Sequence, residues 1–226
     1  TSTGGHHFCS HFESLLAFAL TYYGSNVEVL LCDGLLPGCM MSTSNIINEK
    51  EFANNGPKKI CNGCLDAGKF AFDGLGLKLN YYSEFINSHE IEEISNLINK
   101  MSYEELKIFN HEKINIGEHA LAGALRYYAV GELDYEDKKI EILRRFVKAG
   151  FITKQVITNF YKKNTDIEIT LLNHGIYIPQ GIINSVSKKF NKRIVTYVAG
   201  YRKNSFIFSH DDTYHHTMIK EPTKDW

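Results

Sequence analysis

The sequence predicts an α/β fold, namely a Rossmann-like three-layer domain whose mostly parallel sheet has helices on both faces. Two observations predict it. Compact apolar or β-branched runs, which are typical of buried strands, alternate with longer segments whose apolar residues recur at helical spacing. Strands that alternate with helices form parallel sheets, because each helix carries the chain back across the sheet. We expect residues 1–226 to form one such domain, with a cysteine-bearing insertion at about residues 32–74.

The predicted elements follow one another in a regular order. Gly24 ends a first helix over residues 12–23, and the apolar run at residues 27–31 is a buried strand. The other helices are predicted at residues 91–101, 118–130, 137–149, which Gly150 closes, and 180–190; the other strands are predicted at 78–82, 168–172, 193–197 and 205–208. Residues 1–7 are typical of a loop that follows a strand. Either this strand precedes Thr1 or the segment is a free arm, and we favour the first interpretation.

The composition excludes several classes of protein. Among the 226 residues, 25 Lys and Arg balance 26 Asp and Glu, so the basic excess of a dedicated nucleic-acid-binding protein is missing. No apolar run approaches the ~20 residues that a transmembrane helix needs. The five cysteines cluster in the first third of a large chain, unlike those of a secreted disulfide scaffold. We therefore expect no nucleic acid partner, no transmembrane segment, and a location in the cytoplasm or peripherally at the inner face of the membrane.

Four of the cysteines are candidate ligands of a metal site. Cys32 and Cys39 follow a predicted strand, and Cys61 and Cys64 form a CxxC pair. A CxxC segment forms a chelating turn, and two cysteine pairs supply the four thiolates of a tetrahedral zinc site. An iron–sulfur cluster uses the same ligands. The alternatives are buried free thiols or a redox-active CxxC pair, and Cys9 is left over.

The start of the chain has features of a binding loop. Gly4 and Gly5 let the backbone approach a ligand closely, and the helix that follows offers free N–H groups to an anion or a sugar hydroxyl. His7 and His11 are candidate general bases, since the ordinary pKa of histidine is about 6.5. The alternative is a helix start with surface histidines.

Two further candidates are Glu118 and His119, which stand before an apolar helix. Together they are suited to position or deprotonate a substrate hydroxyl. The alternative is a structural one, because a carboxylate at a helix N-terminus is stabilised by the helix dipole.

The loop at residues 173–181 lies between a predicted strand and a helix, so topology places it at the ligand-binding edge of the sheet. His174 and Tyr177 offer hydrogen bonds and a ring on which the C–H face of a sugar stacks. A second polar segment contains Arg202, Asp212 and His215. These residues are suited to bind an anion, to act as an acid–base set or to hold a metal, and the alternative is a polar surface loop.

At these residues the sequence resembles the N-terminal, acceptor-side half of GT-B-type glycosyltransferases of bacterial capsule and surface-polysaccharide biosynthesis. The resemblance rests on residues 4–16 and 31–37 and is supported by residues 174–177 and 212–215. It implies a two-Rossmann enzyme in which this half binds a carbohydrate acceptor and the other half binds a nucleotide-sugar donor. The chain departs from the pattern because it stops at Trp226, so we expect a second Rossmann-like donor domain after residue 226. The cysteine set is a second departure.

The resemblance also implies roles for the candidate residues. His7, His11 and Glu118 are the candidate bases that deprotonate the acceptor hydroxyl as it attacks the anomeric carbon. The candidate substrate-binding residues are Gly4, Gly5, His119, His174, Tyr177, Arg202, Asp212 and His215. Protein groups neutralise the leaving diphosphate, so no divalent ion is needed for catalysis.

Two other functions fit the same residues. The first is a zinc-dependent hydrolase or deacetylase that uses the loops rich in His and Asp, including His215 and His216. The second is a carbohydrate-binding module without catalytic activity, stabilised by a metal at Cys32, Cys39, Cys61 and Cys64.

Overall fold

Amphipathic helices dominate residues 3–217, the residues that this computed structural model describes. The helices are α1 (His7–Tyr22), α2 (Glu49–Asn55), α3 (Lys58–Phe72), α4 (Ser88–Asn99), α5 (Tyr103–Lys107), α6 (Ile116–Tyr128), α7 (Asp137–Lys163), α8 (Gln180–Lys189) and α9 (Tyr214–Thr217), with a 3-10 helix at Tyr82–Phe85. The strands are β1 (Glu28–Leu31), β2 (Lys78–Tyr81), β3 (Asn110–His111), β4 (Ile114–Asn115), β5 (Ile169–Asn173), β6 (Arg193–Ala199) and β7 (Phe206–His210).

The strands of this part of the chain form three small sheets. β1 and β2 pair in parallel, β3 and β4 form a short antiparallel pair, and the third sheet has the order β5-β6-β7. In that sheet β5 and β6 are parallel and are joined through α8, whereas β7 is antiparallel to β6. A turn of a few residues joins β6 to β7, which is too short for the crossover that a parallel pair requires. The α/β class is confirmed, but these sheets are small and mixed.

Helix α7 corrects one predicted boundary. The sequence predicts a helix over residues 137–149 that ends at Gly150, but α7 continues without interruption to Lys163. Gly150 lies within the helix, where a Cβ would come 2.7 Å from a methyl carbon of Ile116 and 3.0 Å from one of Ile178. The prediction is wrong because this glycine allows close packing and does not end the helix.

The predicted insertion is helical. Residues 32–74 contain α2 and α3, and the CxxC pair lies within α3 and not in a turn. Cys61 and Cys64 are separated by three positions of a helix, so both side chains lie on one face. The prediction of a chelating turn at these residues is therefore wrong, although the two thiols still lie on the same side of the chain.

The hydrophobic core surrounds α7. Phe146 of this helix is fully buried, with its ring centroid 5.7 Å from that of Phe52. Gly123 of α6 packs against the same ring, since a Cβ at that position would lie 2.7 Å from it. Within residues 3–217 no helix has both the length and the apolar character needed to cross a membrane.

Replacement of Phe146 tests the importance of this packing. We expect Phe146→Ala to lower the free energy of unfolding by about 3–5 kcal/mol, because it leaves a cavity at the centre of the core. Urea denaturation followed by circular dichroism measures the change. Phe70→Ala is the matched control, since Phe70 is 74% exposed on α3. Equal effects of the two substitutions would contradict this account of the core.

Candidate functional site

The loop between β5 and α8, residues 174–179, is the centre of the candidate site. His174 and Gly175 both have a positive φ, of 36° and 75°. The His174 N–H donates to the Tyr197 carbonyl at 2.9 Å, which holds the start of the loop against β6. A Cβ at Gly175 would lie 2.8 Å from the methyl carbon of Thr213. The loop therefore follows a tight path beside the segment that precedes α9.

His119 supports this loop from α6. Its Nδ1 lies 2.7 Å from the Ile176 carbonyl oxygen, to which it donates, and its Nε2 lies 3.4 Å from the Ser185 hydroxyl. Burial lowers the pKa of His119, which favours the neutral ring. A Cβ at Gly181 would lie 2.3 Å from this ring, so a glycine is needed there. The structure places His119, predicted from the sequence to bind substrate, as a support of the loop.

One ring nitrogen of His174 is buried and has no hydrogen-bond partner among residues 3–217. The residue is only 7% exposed, and its Nδ1 accepts the Ile176 N–H at 3.0 Å, so the proton of the neutral ring is on Nε2. Nε2 is buried and has no hydrogen-bond partner among the described residues. Burial, the charge of Arg126 and the neighbouring His6 and His215 lower the pKa of His174 to about 3. His174 is therefore a neutral ring whose Nε2–H has no acceptor among the described residues.

His6 and Arg126 complete this group. Burial and the Arg126 guanidinium lower the pKa of His6, whose Nδ1 is also buried without a hydrogen-bond partner in the described part of the chain. Arg126 lies 5.4 Å from the centre of the Tyr177 ring and donates to the Met40 carbonyl. The Tyr177 ring in turn stands edge-on to His174, with centroids 5.1 Å apart. We call His6, Arg126, His174 and Tyr177 the imidazole cluster.

Two members of the imidazole cluster were not among the candidate residues from the sequence. Arg126 lies seven positions after His119, which is two turns of α6, so both side chains project from the same face of that helix. That spacing is the signal that would have found it. His6 is adjacent to His7, and only the three-dimensional path of the first loop shows which of the two imidazoles is half-buried.

The structure places the predicted bases differently. His7 and His11 are exposed on α1, and the His11 Nδ1 lies 2.7 Å from the His7 carbonyl oxygen. Glu118 is exposed in the first turn of α6, where its carboxylate accepts the Asn115 amide at 2.7 Å. These groups bond within their own helix starts, whereas His6 and His174 each have a buried ring nitrogen with no hydrogen-bond partner among the described residues.

The predicted site residues near the C-terminus lie in two separate places. Arg202 is exposed in the turn between β6 and β7. Asp212 and His216 form a pair with 2.9 Å between Oδ1 and Nδ1, and the Lys188 ammonium lies 4.0 Å from the same oxygen. His215 is exposed, lies against His216 with ring centroids 4.1 Å apart and the ring planes tilted by 51°, and contributes to the lowered pKa of His174. Asp212 and His215 thus border the imidazole cluster.

Gly4 and Gly5 approach α3. A Cβ at Gly4 would lie 2.0 Å from the Cys64 carbonyl oxygen, and the Gly5 N–H donates to the Cys64 sulfur at 2.9 Å. These glycines, predicted to contact substrate, allow the first loop to pack against the helix that carries the CxxC pair. The same loop then continues directly into His6.

The four candidate metal ligands surround one small cavity of about 20 Å³, which is lined by Cys32, Cys39, Cys61 and Cys64 together with Thr3, Gly34, Leu36, Met41, Ile60 and Pro179. All four are free thiols. Among residues 3–217 no three Cys, His, Asp or Glu side chains stand in the arrangement that holds a metal ion. The cysteines therefore converge on one place without ligand geometry.

Backbone N–H groups are directed at the sulfur atoms of this cavity. Cys32 accepts from Gly34 and Leu36, and Cys39 accepts from Met41. Burial raises the pKa of all four thiols, to about 11 for Cys39, and backbone hydrogen bonds oppose the rise at Cys32, Cys39 and Cys64. The surroundings thus combine low solvation, which disfavours a thiolate, with donors that favour one.

The low pKa of His174 predicts a pH dependence of stability. Its pKa is about 3 in the folded chain against 6.5 for a free histidine, so the unfolded chain takes up a proton first as the pH falls. The stability that the neutral His174 contributes is therefore fully present above pH 6.5 and is lost as the pH falls from 6.5 to 3. Between pH 7 and pH 5 we expect the free energy of unfolding of the unsubstituted chain to fall by about 2 kcal/mol more than that of the His174→Asn variant. Urea denaturation at the two pH values measures the difference.

Asparagine is a suitable replacement because it tolerates a positive φ and its side-chain oxygen can accept the Ile176 N–H. His89→Asn is the control, since His89 lies on the exposed surface of α4. If His174→Asn retains the full pH dependence, His174 is not the group that resists protonation.

Comparisons with known protein families, with curated proteins and with solved structures found no match to this chain. A function is therefore inferred from the arrangement of the site itself.

Proposed function

We propose that this chain is the acceptor-binding half of a GT-B-type glycosyltransferase that builds a surface polysaccharide or another glycan. The observation that carries the proposal is the imidazole cluster, in which two imidazoles of lowered pKa lie beside a guanidinium and a phenol ring, and each has a buried nitrogen with no partner among the described residues. Sugar hydroxyls require donors and acceptors, and the C–H face of a sugar stacks on an aromatic ring. A guanidinium suits the phosphate of an activated sugar or acceptor.

Each member of the cluster has a role in this proposal. The His174 Nε2–H donates to a sugar hydroxyl, and Tyr177 provides the stacking surface. His6 accepts the proton of the acceptor hydroxyl as its oxygen bonds to the anomeric carbon and the bond to the leaving diphosphate breaks. The lowered pKa of His6 supports this role, because it keeps the imidazole in its proton-accepting form. Its buried unpaired nitrogen favours it over His7, which is exposed.

The proposal extends to the architecture. A Rossmann-like three-layer domain would bring the C-terminal ends of β1 and β5 to one edge, where the first loop and residues 174–179 meet. The nucleotide-sugar would bind to a second Rossmann-like domain that follows residue 226, and Arg126 would face the phosphates across the cleft between the two. Such a chain needs the donor domain for turnover.

Kinetics of the full-length polypeptide test this function. With a panel of nucleotide sugars and surface glycans, we expect His6→Asn to lower kcat by about 10²-fold, the size typical of a lost general base. Tyr177→Ala should raise KM with a smaller effect on kcat, because it removes substrate contact. Initial rates and a glycan array provide the measurements. His89→Asn on α4 should leave both constants unchanged. Failure of the chain to bind any glycan, with no transfer from any nucleotide sugar, would overturn the proposal.

We further propose that Cys32, Cys39, Cys61 and Cys64 bind a structural metal, either zinc or an iron–sulfur cluster. Their convergence on one cavity and the N–H groups directed at the sulfur atoms support this. Metal-bound thiolates receive such hydrogen bonds, and a bound cation would offset the low solvation that keeps the thiols protonated.

Elemental analysis of purified protein tests the metal. We expect about one zinc ion, or one iron–sulfur cluster, per chain, and we expect Cys61→Ser to remove it and to lower the free energy of unfolding, since metal-binding energy is folding energy. Cys9→Ser is the matched control, because Cys9 is a free cysteine that does not line the cavity. Protein that is folded, stable and metal-free would favour the free-thiol interpretation.

A further inference from the structure

Helix α1 directs large apolar side chains toward solvent. The residues that it buries are small or polar, namely Cys9, Ser10, Glu13, Ser14 and Ala17. On the opposite side of the helix Leu15 is 70% exposed, Phe18 is 55% exposed and Tyr22 is 78% exposed. A surface helix ordinarily shows the reverse arrangement, in which the apolar stripe packs against the core. The outward face of α1 therefore has the character of a contact surface.

The exposed side chains follow a heptad pattern. His11, Leu15, Phe18 and Tyr22 are all exposed, and they are separated by four, three and four positions. This is the spacing of the a and d positions through which two helices pack in a coiled coil. We call these four residues the α1 seam. The seam is about 16 Å long, because an α-helix rises about 1.5 Å per residue.

The charge of the helix indicates the kind of partner. Helix α1 contains no Lys, Arg or Asp, and its one carboxylate, Glu13, is buried and accepts a hydrogen bond from the Tyr197 hydroxyl at 2.8 Å. Helices that lie on a membrane surface carry Lys and Arg beside their apolar face, which attract anionic lipids. The centre of an interface between identical chains is instead apolar, rich in aromatic residues and poor in charge. The α1 seam has the second composition.

The exposed area is sufficient for a dimer. Phe8 lies seven positions before Leu15 and is 53% exposed, so it extends the apolar face. Together with the apolar residues of the seam it presents roughly 500 Å² of side-chain surface, given that large aromatic side chains have areas of about 150–250 Å². A specific interface buries at least about 1,000 Å² over both partners. Two copies of this face reach that area.

We propose that the α1 seam binds the same seam of a second copy of this chain, with the two helices antiparallel. The spacing of four, three and four reads the same in both directions, so a two-fold axis between Leu15 and Phe18 makes the seam complementary to itself. Leu15 of each copy then packs against Phe18 of the other. This inference is independent of the glycosyltransferase proposal, because no residue of the seam belongs to the imidazole cluster.

The ends of the seam are also complementary in this arrangement. The His11 Nδ1 lies 2.7 Å from the His7 carbonyl oxygen, which only accepts, so Nδ1 carries the proton of the neutral ring. The Nε2 of that ring is then an acceptor. In the antiparallel dimer His11 lies opposite Tyr22 of the second copy, whose hydroxyl is a donor. A parallel dimer would instead place imidazole against imidazole.

Sedimentation equilibrium over a range of protein concentrations tests the dimer. We expect a monomer–dimer equilibrium with a dissociation constant in the micromolar range. Leu15→Lys and Phe18→Glu should each raise that constant by about 100-fold or more, because each places two unpaired charges in the apolar seam. The two substitutions combined should restore the dimer to within about tenfold, because the introduced ammonium of one chain faces the introduced carboxylate of the other.

Phe70→Glu is the matched control, since Phe70 is 74% exposed on α3 and should leave the dissociation constant unchanged. Circular dichroism at low protein concentration checks that every variant folds. A chain that stays monomeric over the whole range would overturn the proposal, and its flotation with vesicles of phosphatidylglycerol and phosphatidylcholine would then assign the face to a membrane. A dimer that survives both single substitutions would place the interface elsewhere. A combined variant that remains monomeric would exclude the antiparallel arrangement.

Discussion

The close packing of the helices around α7 depends on glycines at positions where a side chain would clash with a neighbouring element. A Cβ at Gly123 would lie 2.7 Å from a core phenylalanine ring, and one at Gly181 would lie 2.3 Å from the ring of His119. Helices α6 and α8 come close to their neighbours because these positions carry no side chain. The same approach brings His119 into contact with the loop 174–179 and sets Arg126 beside His174. The close approach of the helices that packs the core therefore also sets the geometry of the candidate site.

The fold was predictable where local signals are strong. The strands predicted at residues 27–31, 168–172 and 193–197 lie within two residues of their observed bounds, because buried parallel strands are short, continuous apolar runs. Gly150 was misassigned because a glycine that ends a helix and one that allows close packing look alike in sequence. Helix α3 was missed because Gly63 and Gly68 interrupt it, and Gly68 is needed since its Cβ would lie 2.8 Å from Leu31.

The candidate site was predictable in part. The strand-to-helix rule led to His174, and the structure surrounds that residue with other ionisable groups. Arg126 and His6 were missed because their importance depends on burial and on contacts between distant segments, which no local pattern carries. The assignment of His7 and Glu118 as catalytic bases stays a prediction, since exposed groups beside a site acquire a role only when a substrate is in place.

The segment Thr3–His6 joins three parts of the molecule within four residues. Thr3 is bound by Gln180, the Gly5 N–H is bound to the Cys64 sulfur, and His6 is the next residue. Oxidation of that sulfur, or its ligation, changes the acceptor that holds Gly5 one peptide unit away from the imidazole. The placement of the His6 imidazole is thus tied to the CxxC helix through a single N–H···S contact.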